Sequence, residues 1–198
     1  MMDSCSQKAL VASQNKMAER RVIPIDRDWV FRQADDEKSQ FLPVAQFPTN
    51  VHLDLMHHGI IPDPFIGKNE KDVQWVGEKA WVYRTTFLTP SLEEGAKAVL
   101  AFDGLDTYAT ALLSGEEILK TEKMFVPERV DVTRHLQDRT EDTRLEITFE
   151  SAFLIGMKTK ERYPEHFWGC WNGDPSRLAV RKAQYHYVRL ASPSLPSP

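Results

Sequence analysis

From Ala80 onward the hydrophobic positions recur every second residue. In WVYRTTFL, Trp81, Tyr83, Thr85 and Phe87 fall on one side, and Val82, Arg84, Thr86 and Leu88 on the other. The stretch 144–151 alternates as cleanly, with Leu145, Ile147 and Phe149 inward and Arg144, Glu146, Thr148 and Glu150 outward. Period two over such lengths predicts half-buried β-strands. Further strands are predicted over 21–25, 29–33, 96–102, 106–113, 128–136 and 178–188. Ser114-Gly115 between apolar runs signals a tight hairpin. One helix is predicted over 50–59, where Asn50 or Thr49 can cap the start and Gly59 can end it in the left-handed conformation. Pro62 and Pro64 then keep the chain extended. Short strands separated by turns, without a βαβ rhythm, predict an all-β, antiparallel β-sandwich with one short helix and a polar N-terminal tail.

The expected organisation is a tail over 1–20, a sandwich over 21–190 and a Ser/Pro-rich tail over 191–198. Met17 offers a second start, and residues 1–16 are expected to be an extension or an artefact of the gene model. Residues 152–177 break the strand pattern and are expected to form a long loop. They carry Phe153, Tyr163, Phe167, Trp168 and Trp171, and a loop of that length in a compact domain is often functional.

Composition narrows the possible roles. The chain has 198 residues, 41% of them hydrophobic, enough for one sizeable core. A net charge of −4 argues against nucleic acid or an anionic membrane as the main partner. No apolar run approaches the ~20 residues of a membrane span. No secretory signal is visible, so a cytoplasmic location is expected. Cys5 and Cys170 are too few and too far apart for a disulfide framework.

The chemistry is sparse. His52, His57 and His58 are spaced by five and six residues, which splays them around a helix, whereas a metal-binding pair favours i, i+4. No metal site is expected. There is no nucleophile elbow, no Cys–His signature and no phosphate loop. Cys170 fits a small buried residue. Asp103 and Asp106 in FDGLD could be imagined as an acid/base pair, but Asp-Gly-Leu-Asp fits a turn better. The aromatic stretch offers Trp168 and Trp171 as stacking surfaces, with Asn172 and Asp174 as polar partners for a sugar. The same rings would serve equally to cover one end of the sandwich.

Several strings together resemble the β-mannosidases of glycoside hydrolase family 2. The opening TNVHLDLMHHGIIPDPFIGKNEKDVQWVGEKAWVYRTTF is followed in order by FDGLDTYATALLSGEEIL, KMFVPERVDVTRHL and FWGCWNGDPSRLAVRKAQYHY. The resemblance covers roughly residues 21–187. It implies a galactose-binding-like jelly roll that precedes further domains and a catalytic TIM barrel. It also implies that the two catalytic glutamates lie on that barrel, so no residue here inherits a catalytic role, and no cofactor is implied. Family members often have Asn where this chain has Ser114. After Tyr187 the family typically continues Gly-Trp-Asp-Trp-Gly-Pro, whereas this chain reads Val188-Arg189-Leu190 and then ASPSLPSP.

The expectation is therefore the N-terminal sandwich of a β-mannosidase-like hydrolase, truncated before its barrel and inactive alone. The family's reaction is retaining hydrolysis of terminal β-D-mannose. The expected partners are a β-mannoside or oligosaccharide and the missing barrel. Two rivals stand beside this expectation: a stand-alone carbohydrate-binding module and a non-functional product.

Overall fold

The computed structural model describes residues 20–36, 38–166 and 179. The alternating stretches pair as antiparallel strands in two sheets. The larger runs β2 (Leu42–Pro43), β1 (Val30–Gln33), β3 (Trp81–Phe87), β8 (Thr143–Phe149), β5 (Ala109–Leu113) and β6 (Glu116–Thr121), in that spatial order. The smaller pairs β4 (Val99–Phe102) with β7 (Glu128–Asp131). At the centre, β3 and β8 align from Trp81↔Phe149 to Phe87↔Thr143.

The period-two pattern sets which side chains face the smaller sheet. Trp81, Tyr83, Leu145, Ile147, Ala109, Ala111 and Leu113 are buried. Phe102 from the smaller sheet joins the same core, with Leu100 and Val130 packed against it. The polar alternates stay outside, where Arg84 pairs with Glu146 at 2.7 Å and lies 4.0 Å over the Phe41 ring. A register shift at Ala111/Leu112 makes a bulge against β6, which locally sharpens the twist.

Four α-helical segments and one 3-10 turn are found among the described residues. α1 (Val51–His57) starts at Asn50, whose side chain accepts from the Leu53 amide at 3.1 Å, and Gly59 beyond it takes φ +65°. Asn50 and Gly59 thus act as the sequence predicts. α1 delivers Asp54, fully buried, to the core side of the domain. Its carboxylate accepts from the Tyr83 hydroxyl at 2.8 Å and from the Thr49 hydroxyl at 3.0 Å. Phe31 stacks on Tyr83 with ring centroids 5.7 Å apart. α2 (Asn69–Asp72) and the 3-10 turn (Gln74–Glu78) follow, and Trp81 donates its indole N–H to the Val76 carbonyl at 3.0 Å.

The structure corrects the sequence reading in several places. Residues 21–25 form no strand. The stretch 128–136 splits into β7 and a short helix, α3 (Thr133–Leu136), because the Asp131 carboxylate accepts from the Thr133 amide and turns the chain. The start of the expected 152–177 loop is an eleven-residue helix, α4 (Ala152–Arg162). Ser151 caps it, accepting from the Leu154 amide at 3.2 Å while donating to the Gly77 carbonyl at 2.6 Å. The strand expected over 178–188 lies outside the described residues, except for Ala179.

The Asp54–Tyr83 contact yields a test. Tyr83→Phe leaves the buried carboxylate with one donor fewer and should cost about 2–3 kcal/mol in a denaturant melt. Burial first, then the adjacent carboxylate, push the Tyr83 phenol pKa far above its ordinary range. A folded-state pKa raised in this way stabilises fully below the unfolded tyrosine value of about 10 and is lost as pH rises beyond it. The phenolate absorbance of the parent minus that of Tyr83→Phe should therefore stay flat through about pH 10 and rise only when the protein unfolds. A Tyr83 signal titrating at its ordinary value in the folded protein would refute the clamp.

Candidate functional site

One end of the sandwich carries the loop with Asp103 and Asp106. Register puts Trp81, Phe149, Ala109 and Thr121 in one row across four strands. From that row the loop 103–108 joins β4 to β5, and the loop 122–127 joins β6 to β7. α4 begins just beyond the row, after Ser151. The Glu150 amide donates to the Tyr108 carbonyl at 2.9 Å, which seals this edge.

The two loops are locked to each other. A Cβ on Gly104 would sit 2.8 Å from the Met124 carbonyl oxygen, so only glycine allows the approach. Arg129 donates to the Phe102 carbonyl at 2.9 Å and to the Asp103 carboxylate at 3.0 Å. The Thr107 hydroxyl donates to the Asp106 carboxylate. Phe125 projects outward, 64% exposed. The Tyr108 hydroxyl donates to the Ala179 carbonyl at 2.8 Å, so the chain beyond α4 returns to this end.

Trp168, Trp171, Asn172 and Asp174 fall between His166 and Ala179 in sequence and lie outside the described residues. So do Cys5 and Cys170. Asp103 and Asp106 are described: Asp103 accepts from the Arg129 guanidinium at 3.0 Å and Asp106 from the Thr107 hydroxyl, side-chain partners where the sequence reading expects backbone amides of a turn. The Asp103 side chain is 94% exposed beside Arg129, without the enclosure a glycosidic acid/base pair needs. Arg129 and Tyr108 escape the sequence reading, because what they tie together is distant in sequence.

Other polar clusters lead elsewhere. No group of three His, Cys, Asp or Glu among the described residues is placed to hold a metal ion. His58 contacts the Pro43 carbonyl at 2.7 Å, and His135 lies 3.2 Å from Glu116. Burial holds the His52 pKa below its ordinary value. A groove of about 1050 Å³ opens at the opposite end, lined by residues 90–97 and part of 131–140. Hydrogen bonds from Thr133 hold the Asp131 carboxyl there below its ordinary range, with Lys97 and Arg134 adding a smaller pull. No helix among the described residues is long and apolar enough to cross a membrane.

The family pattern described as glycosyl hydrolase 2 galactose-binding domain-like matches residues 29–196. The chain belongs to this family. It is 64% identical over 171 residues to β-mannosidase B of Thermothelomyces thermophilus, covering 86% of this chain and 20% of that protein. It is 44% identical over 172 residues to β-mannosidase B of Neosartorya fischeri, with the same coverage of 86% and 20%. The crystal structure of a β-D-mannosidase from Dictyoglomus thermophilum superposes with a TM-score of 0.71 at 31% identity, covering 85% of this chain and 20% of that one. The chain thus spans about a fifth of the length of the relatives it matches. The resemblance read from the sequence and the sandwich fold both hold.

Gly104 carries the prediction from this site. Gly104→Ala must push the 103–108 and 122–127 loops apart, and overpacking of this kind costs about 1–3 kcal/mol. Amide exchange should quicken in both loops together. Exchange that quickens in one loop alone would show that they are not coupled through this contact.

Proposed function

We propose that this chain is the non-catalytic sandwich of a β-mannosidase-type glycoside hydrolase. It packs against a catalytic barrel and closes one wall of a mannoside pocket. The reaction of the whole protein is retaining hydrolysis of terminal β-D-mannose from the non-reducing end, carried out by a carboxylate pair outside this chain. Trp168 and Trp171 stack on sugar faces in this reading, and Asn172 and Asp174 bond to hydroxyls. The single observation that carries it is the 64% identity to β-mannosidase B over 86% of the chain. The exposure of Asp103 beside Arg129 supports the division of labour, since a glycosidic acid/base pair needs an enclosed cleft.

A chimera tests this. Residues 29–187 of the chain replace the matching stretch of Thermothelomyces thermophilus β-mannosidase B, and release of a chromogenic aglycone from a β-mannoside is followed. The chimera should hydrolyse it, the isolated chain should not, and Trp168→Ala in the chimera should raise KM. A folded but inactive chimera would overturn the reading. So would turnover by the isolated chain that a substitution within it abolishes. Saturable mannoside binding by the isolated chain, lost in Trp168→Ala, would replace it with a stand-alone binding module.

A further inference from the structure

The turn after α1 holds apolar side chains where the domain itself has no use for them. Phe65 is 95% exposed, Ile66 63% and Ile60 49%. Leu53, on the outward side of α1, is 42% exposed. Scattered surface apolar residues need no explanation. Three within seven residues, one of them an almost wholly exposed aromatic ring, form a concentration that soluble surfaces usually cover.

The turn is also built rigidly. The Asp63 carboxylate accepts from the Phe65 amide at 2.9 Å. The Asp63 carbonyl accepts from the Asn69 side-chain amide at 2.9 Å and from the Ile66 amide at 3.2 Å. The Ile60 amide donates to the Leu55 carbonyl at 2.9 Å, and Ile61 is buried beneath. Pro62 and Pro64 restrict what remains. A ring displayed on a pre-ordered turn loses little conformational freedom when a partner covers it, which is the property of an interface anchor.

The relatives indicate what the partner is. They contain this domain as about a fifth of their length, so most of their polypeptide lies beyond the matched stretch. We propose that Phe65, with Ile66 beside it and Ile60 earlier in the same loop, anchors this domain in an apolar recess of the polypeptide that follows it in a β-mannosidase-type chain. The proposal rests on the function proposed above, and it names the surface through which the sandwich docks. α1 carries the load, because Asp54 ties it to Tyr83 of the central strand β3.

The test places a benzophenone photocrosslinker at position 65 of the chimera. After irradiation, mass spectrometry of the digest should find it joined to peptides from beyond the exchanged stretch. Linkage between two copies, or no linkage, overturns the proposal. In parallel, Phe65→Ser in the full 198-residue chain should leave its unfolding curve unchanged, because the ring is already exposed. In the chimera the same change should shorten the half-life of thermal inactivation about tenfold. Equal half-lives would also overturn the proposal. The two readings fail separately: an inactive chimera that still crosslinks removes the function and keeps the docking surface, and an active one that does not crosslink does the reverse.

Discussion

A buried carboxylate has to be partnered, and in this domain that requirement joins its two halves. Asp54 is supplied by a seven-residue helix too short to be stable alone. Its partner, Tyr83, sits on β3, which is hydrogen-bonded to β1 on one side and β8 on the other. The contact fixes α1 against the middle of the larger sheet instead of its rim. Phe31 stacks on the same tyrosine ring, so β1 is held by side chains as well as by its ladder. Everything between α1 and β3 must then form a closed excursion of fixed span. α2 and the 3-10 turn fill it, and the Trp81 indole secures its return.

The strands were legible where one face is buried and the other wet. β8 meets that condition, and β3 does from Tyr83 onward, while Val82 near its start is buried on the other face as well. α4 was not legible, since buried Gly156 interrupts it and its apolar residues form no clean stripe. Its clearest local mark is the Ser151 cap, a signal that many serines outside helices also carry. The break at Asp131 was readable in principle, because Asp-Val-Thr is a turn-forming string, but Val130 and Val132 masked it as continued alternation. The helix 50–59 was found because both of its ends carry explicit signals. The candidate sugar-binding residues Trp168, Trp171, Asn172 and Asp174 rest on side-chain type alone, a criterion that names candidates without saying where the chain folds them.

The candidate end and the docking turn divide the labour of the domain. At the first, charged side chains are consumed in holding loops: Arg129 spans Phe102 and Asp103, and Asp106 is engaged by its neighbour Thr107. At the second, Asp63 bonds within the turn while Phe65 and Ile66 face out. Such an arrangement suits the non-catalytic role proposed for the domain.

The hairpin between β5 and β6 does more than reverse the chain. Ser114 and Gly115 both take positive φ, at 51° and 94°, the geometry that matches the twist of the paired strands. The Ser114 amide donates to the Arg144 carbonyl at 2.6 Å, and the Ser114 hydroxyl lies 3.4 Å from the Arg144 amide. The turn therefore grips a third strand, β8, at the same residue that makes the reversal. A slip of β5 by one residue along β8 would unhook the turn as well as invert the faces. Position 114 acts as an index pin for three strands. It admits only short side chains that tolerate the left-handed region and still offer an acceptor, a filter that asparagine passes as readily as serine.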